Sequence, residues 1–132
     1  MKHLKLFEEV FKYQPTPTPE IGNWVFAYDV DIMNDIQNSE RMNEYMRTHI
    51  GQIIRPKQNQ ISQGYMLVKY TNIPDDVFED FNRESSEAHP VNIEEKSATM
   101  NLQYNEITYW SNNKEELQQK MNLVLTSNKY NL

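Results

Sequence analysis

Tyr65-Met66-Leu67-Val68-Lys69-Tyr70 is the clearest strand signal in the chain: six residues rich in aromatic and branched side chains, directly behind Gly64. Upstream lies a polar connection, residues 57–63, and before it His49-Ile50-Gly51-Gln52-Ile53-Ile54. That apolar run is stopped by Pro56, which has no amide to give a ladder. Two strands joined by a polar link that closes on glycine read as a long hairpin. Further upstream, Trp24-Val25-Phe26-Ala27-Tyr28 follows the turn residue Gly22 and reads as another strand. Downstream, Asn72-Ile73-Pro74 ends the hairpin. Met100, Leu102 and Tyr104 then alternate, and Ile107-Thr108-Tyr109-Trp110 continues, so residues 99–110 hold one or two strands.

Between and after these runs the period changes to helical. Ser39 reads as the N-cap of a helix over residues 39–48, with Met42, Tyr45 and Met46 on one face. Asp75 and Asp76 suit the positive end of a short helical turn, with Val77, Phe78 and Phe81 turned inward. Residues 83–96 are acidic and weakly apolar and read as a flexible loop. Asn112 as an N-cap puts Glu115 at the third helical position, close to a capping box; Leu117, Met121, Val124 and Leu125 complete the face of a C-terminal helix. The expected fold class is α+β, mostly β with helices: a small antiparallel barrel or strongly bent sheet with a C-terminal helix. Its expected core includes Val25, Ile53, Leu67, Ile107 and Trp110.

The 132 residues are the size of one domain. Residues 1–13 stand apart. Leu4, Phe7, Val10 and Phe11 recur at three- and four-residue spacing, an amphipathic stripe and a candidate docking peptide. Pro15-Thr16-Pro17-Thr18-Pro19 lacks amide donors and favours an extended form, so residues 14–20 read as a spacer and residues 21–132 as the body.

Composition excludes several classes. With no cysteine there is no disulfide framework, thiolate nucleophile or thiolate metal site. No apolar run approaches the roughly 20 residues that span a bilayer, and the Lys2 and Lys5 region has no apolar stretch of a secretory signal. Thirteen basic residues face nineteen acidic ones, for a net charge of −6 without a basic stripe. Nucleic acid is therefore disfavoured as a partner, because binding it needs clustered Lys and Arg to neutralise phosphates.

No constellation carries catalysis. His3, His49 and His89 share no ligand spacing, and His49 reads as structural. Asp29, Asp31, Asn34 and Asp35 resemble part of a calcium loop, but its glycine and bidentate glutamate are missing. Glu94 and Glu95 have nothing beside them to raise a pKa, there is no phosphate-cradling glycine loop, and no serine lies in a nucleophile elbow. No catalytic residue, cofactor or metal is expected. The tyrosines and tryptophans read first as core and second as an aromatic binding face. Asp75, Asp76, Glu79, Asp80, Glu84, Glu87, Glu94 and Glu95, against Arg83 alone, read as a solvated face, with a DNA-mimicking surface as the weaker alternative.

Three stretches carry a resemblance. The opening Met-Lys-His-Leu-Lys-Leu-Phe-Glu-Glu, the segment Ile50-Gly51-Gln52-Ile53-Ile54 with Val68-Lys69-Tyr70-Thr71-Asn72-Ile73-Pro74, and the end from Glu106-Ile107-Thr108-Tyr109-Trp110-Ser111 through Lys114-Glu115-Glu116-Leu117 to Lys129-Tyr130-Asn131-Leu132 resemble small SH3-like-barrel proteins of tailed phages. These are proteins of crAss-like and related phages of Bacteroidetes hosts. The likeness covers most of the chain except residues 29–48 and 83–98, which look like insertions. It implies an SH3-like barrel and a phage origin, not a chemistry. The N-terminus is also similar to head-packaging peptides of large myoviruses, which a prohead protease cuts after a Leu-x-Glu or Ile-x-Glu site; Leu6-Phe7-Glu8 fits, making Glu8 a candidate processing site.

The expected function is that of a non-enzymatic phage protein: a protein-binding module, virion-associated or head-packaged, whose partner is a phage structural protein or a host factor. The alternatives are an early phage protein that inhibits a host or defence factor, and a small barrel that binds nucleic acid. The expected location is the host cytoplasm during infection, and the virion, with no membrane association.

Overall fold

Alternation along the Tyr65–Tyr70 strand decides which face of the sheet becomes the core. The computed structural model describes residues 18–28, 30, 39–56 and 64–130. In chain order these form β1 (Trp24–Phe26), α1 (Ser39–Thr48), β2 (Gly51–Ile53), β3 (Tyr65–Tyr70), α2 (Asp75–Arg83), β4 (Val91–Asn92), β5 (Ser97–Gln103), β6 (Tyr109–Ser111) and α3 (Lys114–Tyr130). A single 3-10 turn, Tyr104–Glu106, joins β5 to β6. All strand pairs are antiparallel, in one six-stranded sheet of order β4-β5-β3-β2-β1-β6.

The longest ladder runs from Tyr65↔Gln103 to Tyr70↔Ala98. Because side chains alternate across a strand, Val68 and Tyr70 of β3 and Ala98, Met100 and Leu102 of β5 share one face. All five are buried. Met42, Tyr45 and Met46 of α1 and Phe78 and Phe81 of α2 cover that face, at the three- and four-residue spacings that make a helical stripe. β1 is buried on both sides: Val25 belongs to this core, while Phe26 faces the other way onto Leu117, Met121 and Val124 of α3. The helices therefore lie on both faces of the sheet, α3 over its β1–β6 end.

Gly51 is required where β2 crosses this core. A Cβ there would lie 2.5 Å from Val68 Cγ1 and 3.0 Å from the Tyr70 ring, so the strand admits no side chain at that point.

Several expectations stand and several change. The hairpin of β2 and β3, the three helices and the antiparallel sheet are as read. The barrel is not closed by strand pairing: β4 and β6 end the order, and no ladder joins them among the described residues. Residues 99–110 divide into two strands because the 3-10 turn Tyr104–Glu106 interrupts the run: β5 pairs with β3, whereas β6 pairs with β1 at the other end of the sheet. Residues 83–96 are not one loop. α2 runs through Arg83, and Val91–Asn92 pairs with Ser97 and Ala98 as a short outer strand. The C-terminal helix is capped one residue later than expected, by Asn113, whose Oδ1 accepts from the Glu116 amide at 3.0 Å. Ser111 Oγ accepts from the Asn113 amide and sets that residue in place.

Among the expected core residues, Val25, Ile53, Leu67 and Ile107 are buried, but Trp110 is only half-buried. It lies on β6, an end strand of the sheet, where its ladder partner is Val25 of β1.

Candidate protein-binding cleft

Four large hydrophobic side chains are exposed among the described residues: Ile21, Tyr65, Ile93 and Tyr104. Three of them, all but Ile93, border one cleft of about 540 Å³. Ile54, Met66 and Leu67 line it further, so it is an apolar depression with a tyrosine at two points of its rim. Isolated exposed apolar residues are ordinary; their convergence on one concavity is the usual mark of a binding surface.

Backbone hydrogen bonds hold the cleft open. The Gly22 amide donates to Ile53 O at 2.8 Å and the Ile53 amide to Asn23 O at 2.9 Å, fixing the Ile21 wall against β2. The Ile54 amide donates to Leu67 O at 2.9 Å, holding the β2 and β3 walls together. Gln103 Nε2 donates to the Tyr65 hydroxyl at 3.1 Å and orients that ring. Tyr104 opens the 3-10 turn, whose first amide side is closed by the Gln103 amide donating to Glu106 Oε1 at 2.9 Å.

That last bond belongs to a second feature. Between residues 99 and 103, the three β5 amides that face away from β3 are each bonded within the chain. The Thr99 amide donates to Pro90 O at 2.9 Å, the Asn101 amide to His89 Nδ1 at 3.3 Å, and the Gln103 amide to Glu106. An exposed strand edge invites pairing with another chain. This one is closed between residues 99 and 103, which leaves none of those three amides free for an added strand.

A larger groove of about 1130 Å³ lies between α1 and α2, bordered by Glu40, Arg41, Glu44, Tyr45, His49 and Asp76. Two of its polar groups are already committed. Arg41 Nε lies 2.8 Å from Asp80 Oδ2, and the Tyr45 hydroxyl donates to Thr71 O at 3.4 Å. None of the exposed large hydrophobics borders it. The smaller cleft is therefore the stronger candidate for a binding surface.

The sequence-derived candidates distribute as follows. Leu4, Phe7, Val10, Phe11 and Glu8 lie outside the described residues, as do Asp29, Asp31, Asn34 and Asp35. His49 is structural: its ring stacks on Tyr45 with centroids 3.9 Å apart, and its Nδ1 lies 2.9 Å from Tyr45 O. A carbonyl only accepts, so Nδ1 is the protonated nitrogen and closes the last turn of α1. His89 is half-buried, and burial lowers its pKa from the ordinary 6.5. Glu95 meets Lys69 at 3.1 Å and Ser97 at 3.0 Å, which hold its carboxyl below the usual range. No group of three or more His, Asp or Glu able to hold a metal occurs among the described residues. No described helix is long and apolar enough to cross a membrane.

The acidic run proves to be divided. Asp80 is buried at 1% exposure, and Asp75 pairs with Lys96 at 3.6 Å. A single unpaired negative face, as DNA mimicry requires, is not what these residues build. The cleft itself was missed in the sequence because Ile21, Tyr65 and Tyr104 lie far apart in the chain; only the opposition of Tyr65 to Gln103 in the ladder brings the two tyrosines together.

No protein-family model, curated protein or solved structure matches the chain.

Proposed function

We propose that this chain is a non-enzymatic protein-binding module of phage origin, virion-associated or head-packaged, with the SH3-like type of body that its sequence resembles. The observation that supports binding is the convergence of Ile21, Tyr65 and Tyr104, three of the four exposed large hydrophobics, on one cleft. Tyrosines at a rim supply large, rigid contact area with a polar tip, the composition of a contact point with another protein. The phage origin and the particle association rest on the resemblance alone.

Two measurements test the reading. Full-length chain and its Tyr65→Glu/Tyr104→Glu variant are used as bait in lysates of phage-infected cells. A partner retained by the wild type and lost by the equally folded variant supports the cleft; equal retention by both removes it as the binding surface. Mass spectrometry of purified particles tests the virion role, including whether the chain found there begins after Glu8.

A further inference from the structure

We infer that the amphipathic stripe of Leu4, Phe7, Val10 and Phe11 docks into the Tyr65–Tyr104 cleft of its own chain and competes there with outside partners. The inference rests on the reading of that cleft as the binding surface.

The described structure supplies the geometry. Pro19 is buried and forms part of the cleft wall beside Ile21, so the described region begins, at Thr18, one residue from that wall. Ahead of it stand seventeen residues. Residues 14–18 carry Pro15 and Pro17, and in extended form they cover roughly 15 Å at about 3 Å per residue. From Leu4 to Phe11 a helix would be about 10 Å long at ~1.5 Å per residue. A tether of that length lets the stripe turn back over the rim.

The energetics point the same way. A helix this short is marginal in water by itself, so the stripe needs an apolar surface to form on. The cleft is one whose apolar rim, Ile21, Tyr65 and Tyr104, is exposed among the described residues. Its volume, about 540 Å³, is within the range of pockets that take a few side chains rather than a whole helix. It would hold the side chains nearest the tether, Val10 and Phe11, or Phe7 and Phe11 together. A tethered segment meets its site at an effective concentration on the order of millimolar. A second copy or a weak partner at micromolar concentration competes poorly against that, which favours the chain's own segment.

The test uses full-length protein with Phe7→p-benzoylphenylalanine, photolysed at low micromolar concentration as an equal mixture of light and heavy-isotope chains. The expected product is a cross-link within one chain, to the segment holding Tyr65 and Met66 or to that holding Tyr104. Adding Tyr65→Glu and Tyr104→Glu, both at exposed positions, should cut its yield at least fivefold. Cross-links that join light to heavy chains assign the stripe to a second copy and overturn the inference. So do cross-links to the α1–α2 groove or to α3, and so does a folded chain that gives none. The arms separate the two claims. If the cross-link is absent while the rim variant still loses its partner in the bait experiment, the binding reading stands and self-docking falls. If the cross-link forms and the rim variant keeps every partner, self-docking stands and the binding reading falls.

Discussion

Asp80 Oδ2 lies 2.8 Å from Arg41 Nε, joining α2 to α1 above the core, while Asp80 Oδ1 takes Arg83 Nη1 at 3.2 Å. The carboxylate is buried and Arg41 is about half-exposed, at 53%. A buried charge that loses its partner costs several kcal/mol, but here a second guanidinium remains. Arg41→Ala should therefore destabilise the fold by about 2 kcal/mol, read as a lower urea midpoint at unchanged slope. A midpoint equal to the wild type's would show that Arg83 alone satisfies Asp80.

Gly51→Ala should cost about 2 kcal/mol by overpacking, because its Cβ would meet Val68 and Tyr70, which are both fully buried. Thermal melting checks it. The companion double variant Gly51→Ala/Val68→Ala should recover nothing if the Tyr70 ring is the true obstacle, and part of the loss if Val68 is.

Tyr70→Phe should stabilise the protein by about 1 kcal/mol. The Tyr70 hydroxyl is fully buried and has no hydrogen-bond partner among the described residues. Burial, with smaller contributions from Tyr45 and Glu106, pushes its pKa well above the ordinary 10. An unpaired buried hydroxyl costs more than the apolar ring that would replace it. A destabilised variant in urea titration would mean that the hydroxyl has a partner, such as an ordered water.

Stability should fall as pH drops from 7 toward 5, and His89 should cause part of the fall. Its Nδ1 accepts the Asn101 amide, and burial lowers its pKa below 6.5. The unfolded chain then takes up a proton that the folded one resists, so the contribution is complete above 6.5 and is lost below it. His89→Asn keeps an acceptor near Asn101 without titrating, and should flatten the stability profile between pH 7 and 5. The Glu95 contribution has the opposite cause and a lower window. Its carboxyl is held below 4.5 by Lys69 and Ser97, so that pairing fades only in stronger acid. If the His89→Asn profile keeps the wild-type slope, His89 does not seal the β5 edge.

Local pattern was enough to read α1, α2 and α3 and the strands around Val25, Ile53 and Val68, because period and capping residues act within a few positions of themselves. Met42, Tyr45 and Met46 declare one helical face whatever they pack against. The sequence by itself also determined that no thiol chemistry exists, since there is no cysteine. Tertiary structure alone decided the rest. Asp80 looks like its acidic neighbours in the chain, and only the approach of α1 brings Arg41 to it. Trp110 looks like a core residue, and its place on the last strand of the sheet goes with its being only half-buried. Val91 and Asn92 carry too short a signal to be read as a strand, and they pair because the chain turns back beside Ser97 and Ala98. The cleft follows the same rule. Tyr65 and Tyr104 are 39 positions apart in the chain, and a ladder register, which depends on long-range pairing, brings them to one rim.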